Sequence, residues 1–168
     1  MNAMKFALWA CMLLVNEAAL ASEIMSSPDS VQSDQTDHPI FCTVVCTSSE
    51  AKIFAEITFS NITDGPIAVF ERNLLRTNEM TWAPFEVRWD GKDVPYTGPM
   101  IKRSPPGPGE FYLMKPHEVF KEKTEIGKYY DFSQTGRYSV SYFAVNPAFG
   151  SRSQFLVESK PAIINVSP

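Results

Sequence analysis

The sequence is poor in histidine: His38 and His117 are the two in 168 residues. A serine- or cysteine-type hydrolase needs a nucleophile, a histidine base and an orienting acid. His38 falls in a polar stretch ahead of the expected fold, so His117 alone would have to serve. HEVFK, residues 117–121, differs by one letter from the zinc-protease pattern HExxH. In that pattern two histidines one helical turn apart share a metal while the glutamate activates water, and here Lys121 stands where the second histidine belongs. Pro116 before the pair and the alternating residues after it make His117 an exposed turn residue leading into a strand. A phosphate-binding loop is also missing, since GPGEF, residues 107–111, has neither the length nor the lysine of one. No catalytic residue, no metal ligand set and no cofactor is expected.

Cysteine is as scarce: Cys11, Cys42 and Cys46 are the three. Cys11 sits in an opening segment in which Lys5, the apolar run FALWACMLLV and Ala19-Leu20-Ala21 have the three-part layout of a secretory signal, with cleavage expected after Ala21. Residues 1–21 are therefore read as a signal peptide and the mature chain as exported, either secreted or periplasmic. The apolar run is shorter than the roughly 20 residues a membrane helix needs, and no later stretch approaches that length, so no membrane insertion of the mature chain is expected. Export would place Cys42 and Cys46, spaced as CTVVC, in an oxidising compartment. Along an extended strand their α-carbons would lie roughly 13 Å apart, whereas a disulfide needs them within about 7 Å. Two readings stay open: a local disulfide that bends the segment, or two small apolar residues on one face of a first strand.

Positive charge is not concentrated anywhere. The formal net charge is −4, and no basic stripe follows any expected strand, which excludes the phosphate-neutralising surface that nucleic-acid binding requires.

What the sequence does contain is strand and turn. Residues 22–38, SEIMSSPDSVQSDQTDH, are polar and read as a disordered lead-in; residues 39–168 read as one folded domain. In KYYDFSQTGRYSVSYFAV, residues 128–145, Tyr138, Val140, Tyr142 and Ala144 alternate with Arg137, Ser139 and Ser141, the period of a half-buried strand. Asp131, Ser133 and Gly136 form a corner before it, with Tyr138 placed to bond back to the backbone just upstream. Ile53, Ala55, Ile57 and Phe59 alternate in the same way. Asp90-Gly91 joins Phe85–Trp89 to a returning strand, Lys92–Tyr96, through a tight hairpin. Further strands are expected at Phe41–Thr47, Ile67–Glu71, Phe111–Met114, Val119–Thr124, Gln154–Glu158 and Ala162–Val166, and Asn73–Trp82 has room for one short helical turn. With thirteen prolines and regular turn signals, the predicted class is all-β: an immunoglobulin-like antiparallel β-sandwich of about seven to eight strands.

One loop stands out as a candidate binding surface. PMIKRSPPGPG, residues 99–109, has four prolines and two glycines in eleven positions, which stiffen it and keep it out of a ladder. Lys102, Arg103, Ser104, Pro105 and Pro106 form its centre, with local positive charge on an acidic protein. A stiff loop loses little entropy on binding, which suits insertion into another protein's cleft; the plainer role is a connector between sheets. Asn61-Ile62-Thr63 and Asn165-Val166-Ser167 match glycosylation acceptors, of consequence only in a eukaryotic secretory pathway.

FSNITDGPIAVFERN, FEVRWDGKDVPYTGPMIKR and YYDFSQTGRYSVSY, in that order and spacing, resemble the N-terminal β-sandwich that precedes the catalytic domain in bacterial zinc metalloendopeptidases related to deuterolysin and the peptidyl-Lys proteases. The likeness covers about residues 41–146 and rests on turn and strand elements. It implies a sandwich fold, an exported location and a history of contact with a protease, because the segment in that family resembles a pro-domain removed on maturation. The family's zinc ligands lie in a downstream domain, so none of its catalytic residues carries over to these 168 residues. Pro116-His117-Glu118 falls where the family tends to have a Pro-Gly-Glu turn. The expectation is an exported non-catalytic binding domain whose partner is a protein, a metalloendopeptidase first among candidates. The alternative is a structural or adhesive envelope module that self-associates through an edge strand or a cysteine bridge.

Overall fold

A computed structural model describes residues 38–76 and 79–167, all of which belong to one structural unit. The expected signal peptide and nearly all of the polar lead-in lie outside the described residues. The alternating residues form ten strands: β1 Ile40–Ser49, β2 Lys52–Asn61, β3 Ile67–Phe70, β4 Phe85–Trp89, β5 Lys92–Asp93, β6 Phe111–Met114, β7 Val119–Glu125, β8 Gly136–Asn146, β9 Phe155–Glu158 and β10 Ala162–Val166. One sheet has the order β1-β2-β7. A second runs β10-β8-β4-β5 with β9 also on β8, and β3 pairs β6 separately; every pairing between strands is antiparallel. The all-β sandwich expected from the alternation is the fold observed.

Ten strands form instead of seven or eight. The short β3–β6 pair stands apart from both larger sheets, and β9 and β10, each expected as its own strand, lie along β8 on either side of Ser159-Lys160-Pro161. There Pro161 has no N–H to give the ladder, while Ser159 donates its own N–H to the Tyr142 carbonyl at 3.0 Å and accepts the Tyr142 N–H on its hydroxyl at 2.9 Å.

The core is made by the residues whose period announced it. Ile53, Ala55, Ile57 and Phe59 on β2 are buried, and Tyr138, Val140, Tyr142 and Ala144 on β8 have no exposed surface. The two sheets meet where the Phe59 and Tyr142 rings touch edge to face at 5.3 Å, the geometry an aromatic quadrupole favours. The corner before β8 forms as expected. The Tyr138 hydroxyl donates to the Gln134 carbonyl at 3.0 Å and accepts the Gln134 N–H at 3.2 Å. Gly136 there has φ 141, and a Cβ would come within 2.7 Å of the Trp89 indole nitrogen, so both backbone and packing require glycine.

Two boundaries differ from the sequence expectation. Asp90 and Gly91 take φ 44 and 82, the left-handed pair of a tight hairpin, but β5 ends at Asp93 instead of Tyr96. After Val94 donates to the Val87 carbonyl at 2.8 Å, Pro95 cannot continue the ladder. Within Asn73–Trp82 the helical turn is shifted forward, as a 3-10 turn over Glu71–Leu74 closed by Leu75 at φ 54.

The bridged reading of the cysteines is corrected. Cys42 and Cys46 are free and lie on one unbroken strand whose register runs from Ile40↔Asn61 to Ser49↔Lys52, so the bend a four-residue bridge needs is not there. Cys42 is buried opposite Phe59 and Cys46 half-buried opposite Ala55. Of the two glycosylation triplets, the first is structural. Asn61 is 1% exposed, and its amide donates to the carbonyls of Gly65 and Lys115 at 2.8 and 2.9 Å while accepting from the N–H and hydroxyl of Thr63 at 3.0 and 2.8 Å. An amide so engaged joins the β2–β3 and β6–β7 turns and has no free nitrogen to modify. Asn165 is exposed.

Candidate functional site

The Pro99–Gly109 loop is pinned at both ends. Before it, Thr97 donates its N–H to the Tyr129 carbonyl at 2.8 Å, and the Tyr96 hydroxyl donates to the Met80 carbonyl at 2.7 Å. The Tyr96 and Tyr129 rings stack at 5.9 Å, and Gly98 lies so close that a Cβ would come within 2.4 Å of the Tyr96 hydroxyl. Ile101 then donates to the Thr81 carbonyl at 3.0 Å. At the far end the Glu110 carboxylate accepts the Gly107 N–H at 2.7 Å and closes a short 3-10 turn, Pro108–Glu110, that leads into β6. Between these anchors Lys102, Arg103, Ser104 and Pro105 are exposed and Pro106 is half-buried. The loop is tethered at both ends and joins no strand, as its proline content implied.

Arg103 is the member of the expected set that the structure brings into a cavity. It lines a cleft of about 290 Å³ together with Arg72, Arg76, Glu79, Trp82 and Glu110. The 3-10 turn and its left-handed cap at Leu75 present Arg72 and Arg76 to this cleft, and Glu79, Thr81 and Trp82, from a segment outside any strand or helix, line it as well. Arg72 donates to the Thr81 carbonyl at 2.9 Å, and its guanidinium lies over the Trp82 ring at 5.5 Å. Its Nε is buried without a hydrogen-bond partner. Burial, and then the like charge of Arg103, hold the Arg72 guanidinium below the usual arginine pKa. Arg76 sits over the Tyr112 and Phe120 rings at 4.1 and 4.8 Å and pairs with Glu71 at 3.6 Å. Sequence reasoning found the loop and missed Arg72, Arg76 and Trp82. They come from Glu71–Trp82, a segment without a clear period, and the available signal was two arginines four apart ahead of a tryptophan.

The other candidate chemistry resolves into turn structure. His117 is exposed with φ 57, and its Nε2 lies 3.1 Å from the Asp64 carboxylate. Glu118 donates its N–H back to the Lys115 carbonyl at 3.1 Å, so Lys115-Pro116-His117-Glu118 is a turn with proline second and a left-handed residue third. The Glu118 carboxylate accepts the Tyr112 hydroxyl at 2.6 Å and the Lys115 N–H at 2.7 Å. The Tyr112 bond first, and the backbone bond second, hold its pKa below the usual glutamate value. Among the described residues, no group of three or more histidine, cysteine, aspartate or glutamate side chains is placed to hold a metal ion. Among them too, no helix is long and apolar enough to cross a membrane.

No family model matches the chain. Over 87 residues, 51% of its length, it is 31% identical to an extracellular protease of Aeromonas hydrophila. It spans 24% of that protein. The likeness marks a protease-related region in this chain, about the size of one domain of a longer protein.

Proposed function

We propose that this chain is an exported, non-catalytic β-sandwich module that binds a secreted metalloendopeptidase, acting as an inhibitor or in the manner of a pro-domain. The observation that carries the reading is the 31% identity over half of this chain to about a quarter of an extracellular protease. A match of that proportion fits a module beside a larger body, and the resemblance of its turn motifs to the region ahead of the deuterolysin-type catalytic domain supports the same arrangement. The contact surface in this reading is the tethered loop with Lys102 and Arg103 and the cleft behind it. Its stiffness limits the entropy lost on docking, and its charge complements an acidic rim on a partner.

Self-association through a bridge at Cys42 is less well supported, because Cys42 is 3% exposed and its sulfur cannot reach a second chain without unfolding β1. The test is to mix the purified mature chain with deuterolysin and with peptidyl-Lys metalloendopeptidase, then follow co-elution on gel filtration and peptide hydrolysis. A one-to-one complex with altered protease activity supports the proposal. Separate elution and unchanged hydrolysis with both enzymes would overturn it.

A further inference from the structure

The cleft beside the loop carries more than its exposure. Three arginines and three glutamates line it, yet Arg76 is the one arginine among them with an ion-pair partner among the described residues. Glu71 is taken by Arg76. Glu110 accepts the Gly107 N–H, and Glu79 is itself engaged. Among the described residues no carboxylate forms an ion pair with Arg72 or Arg103. Two guanidinium groups therefore share one cavity without a carboxylate in ion-pair contact with either, although a guanidinium presents five N–H donors and Thr81 takes one of those on Arg72. One of these groups is partly desolvated, with a buried Nε that has no partner. A partly buried cation repelled by its neighbour gains more from an incoming anion than a solvated one does, since the pairing relieves repulsion as well as supplying attraction.

From this we infer that the cleft is a subsite for a single carboxylate, received between the guanidinium groups of Arg72 and Arg103 with the apolar part of its bearer against the Trp82 ring. Planar guanidinium donors match a carboxylate in geometry, and the tryptophan face and about 290 Å³ of space suit one amino-acid residue. Glu71, Glu79 and Glu110 on the same walls oppose a second negative charge, so the subsite selects a monoanion over a polyanion such as phosphate. The inference rests on the binding reading above only for its biological setting; there the carboxylate belongs to a protein partner, as a chain end or as an acidic side chain.

The test titrates the folded mature chain, ¹⁵N-labelled, with N-acetyl-phenylalanine, N-acetyl-glutamate α-amide and N-acetyl-phenylalaninamide, and reads the arginine Nε–H and Trp82 indole resonances. Saturable shifts with either carboxylate and none with the carboxamide are expected, and the stronger of the two carboxylates identifies the source as chain end or side chain. Arg103→Gln, on an exposed loop that leaves the fold undisturbed, should weaken binding about tenfold or more, the loss expected for a charge-assisted bond. Arg72→Gln should do the same if it folds, and Arg137→Gln should change nothing. Equal shifts with the carboxamide, tighter binding of inorganic phosphate, or undiminished binding by Arg103→Gln would overturn the inference. If the proteases fail to bind while the carboxylates still shift these resonances, the subsite stands and the protease reading falls; the converse result removes the subsite alone.

Discussion

The Tyr142 hydroxyl donates to the backbone carbonyl of Asn73, 2.5 Å away, and so ties the centre of the sandwich to the turn that presents Arg72. Asn73 answers with its side-chain amide, which donates to the Val145 carbonyl at 3.1 Å. The site is therefore held by β8, the strand with the most completely buried face. Tyr142→Phe leaves the Asn73 carbonyl without its donor and should cost about 1–3 kcal/mol, the penalty for an unsatisfied buried group. Urea unfolding would measure it, and the Arg72 resonance should broaden or shift in the same variant. A change of only a few tenths of a kcal/mol would mean that water replaces the hydroxyl and the tie is weak.

Acid should act through Glu118. Its folded pKa lies below the ordinary 4.5, chiefly because the Tyr112 hydroxyl bonds the ionised form. A depressed pKa adds stability that is present above the unfolded value and is lost as the pH falls through the folded one. Unfolding midpoints of the native protein should therefore drop below about pH 4.5, and Glu118→Gln should be less stable at neutral pH with a shallower acid slope. An unchanged slope would assign the acid sensitivity to other carboxylates.

Alkali should act through the cysteines. Burial pushes the Cys42 thiol up to about 12 and the Cys46 thiol up to about 11 from the ordinary 9.0. A raised pKa contributes stability that is fully present below the unfolded value and is lost as the pH climbs towards the folded one. Stability should decline from about pH 9 upward, and less steeply in Cys42→Ala/Cys46→Ala. At neutral pH both thiols should be slow towards Ellman's reagent in the native state and react at once in urea. Rapid native reaction of both would contradict their inward placement on β1.

His117→Gly should stabilise the protein by about 1 kcal/mol, because glycine adopts a left-handed backbone without the strain a side chain carries there. The contact with Asp64 lost in the exchange is exposed on both sides and is worth little. The substitution should leave partner binding intact. A loss of binding or of a bound metal on this change would instead give His117 a chemical role.

The fold was legible because its signals are local and periodic. The alternation in Tyr138–Ala144 and in Ile53–Phe59 named two facing strands, and Asp90-Gly91 named a tight hairpin. The cleft was not legible in the same way. Arg72, Trp82 and Arg103 come from a 3-10 turn, an irregular segment and a loop, and they meet only because Tyr96, Tyr129 and Thr81 dock those pieces onto the sandwich through long-range hydrogen bonds that leave no period in the sequence. The cysteines stayed between two readings for a different reason. Spacing alone could not say whether the segment bends, and the continuous pairing of β1 with β2 decides that it does not.

The central claim is that this sandwich works by surface complementarity at the Lys102–Arg103 loop. Calorimetric titration of a deuterolysin-type metalloendopeptidase with the native chain and with Lys102→Ala/Arg103→Ala tests it most directly. The account predicts a saturable one-to-one heat for the native chain and binding weakened about tenfold or more in the variant. Equal binding by both, or no heat with either while the chain itself hydrolyses a peptide, would contradict it.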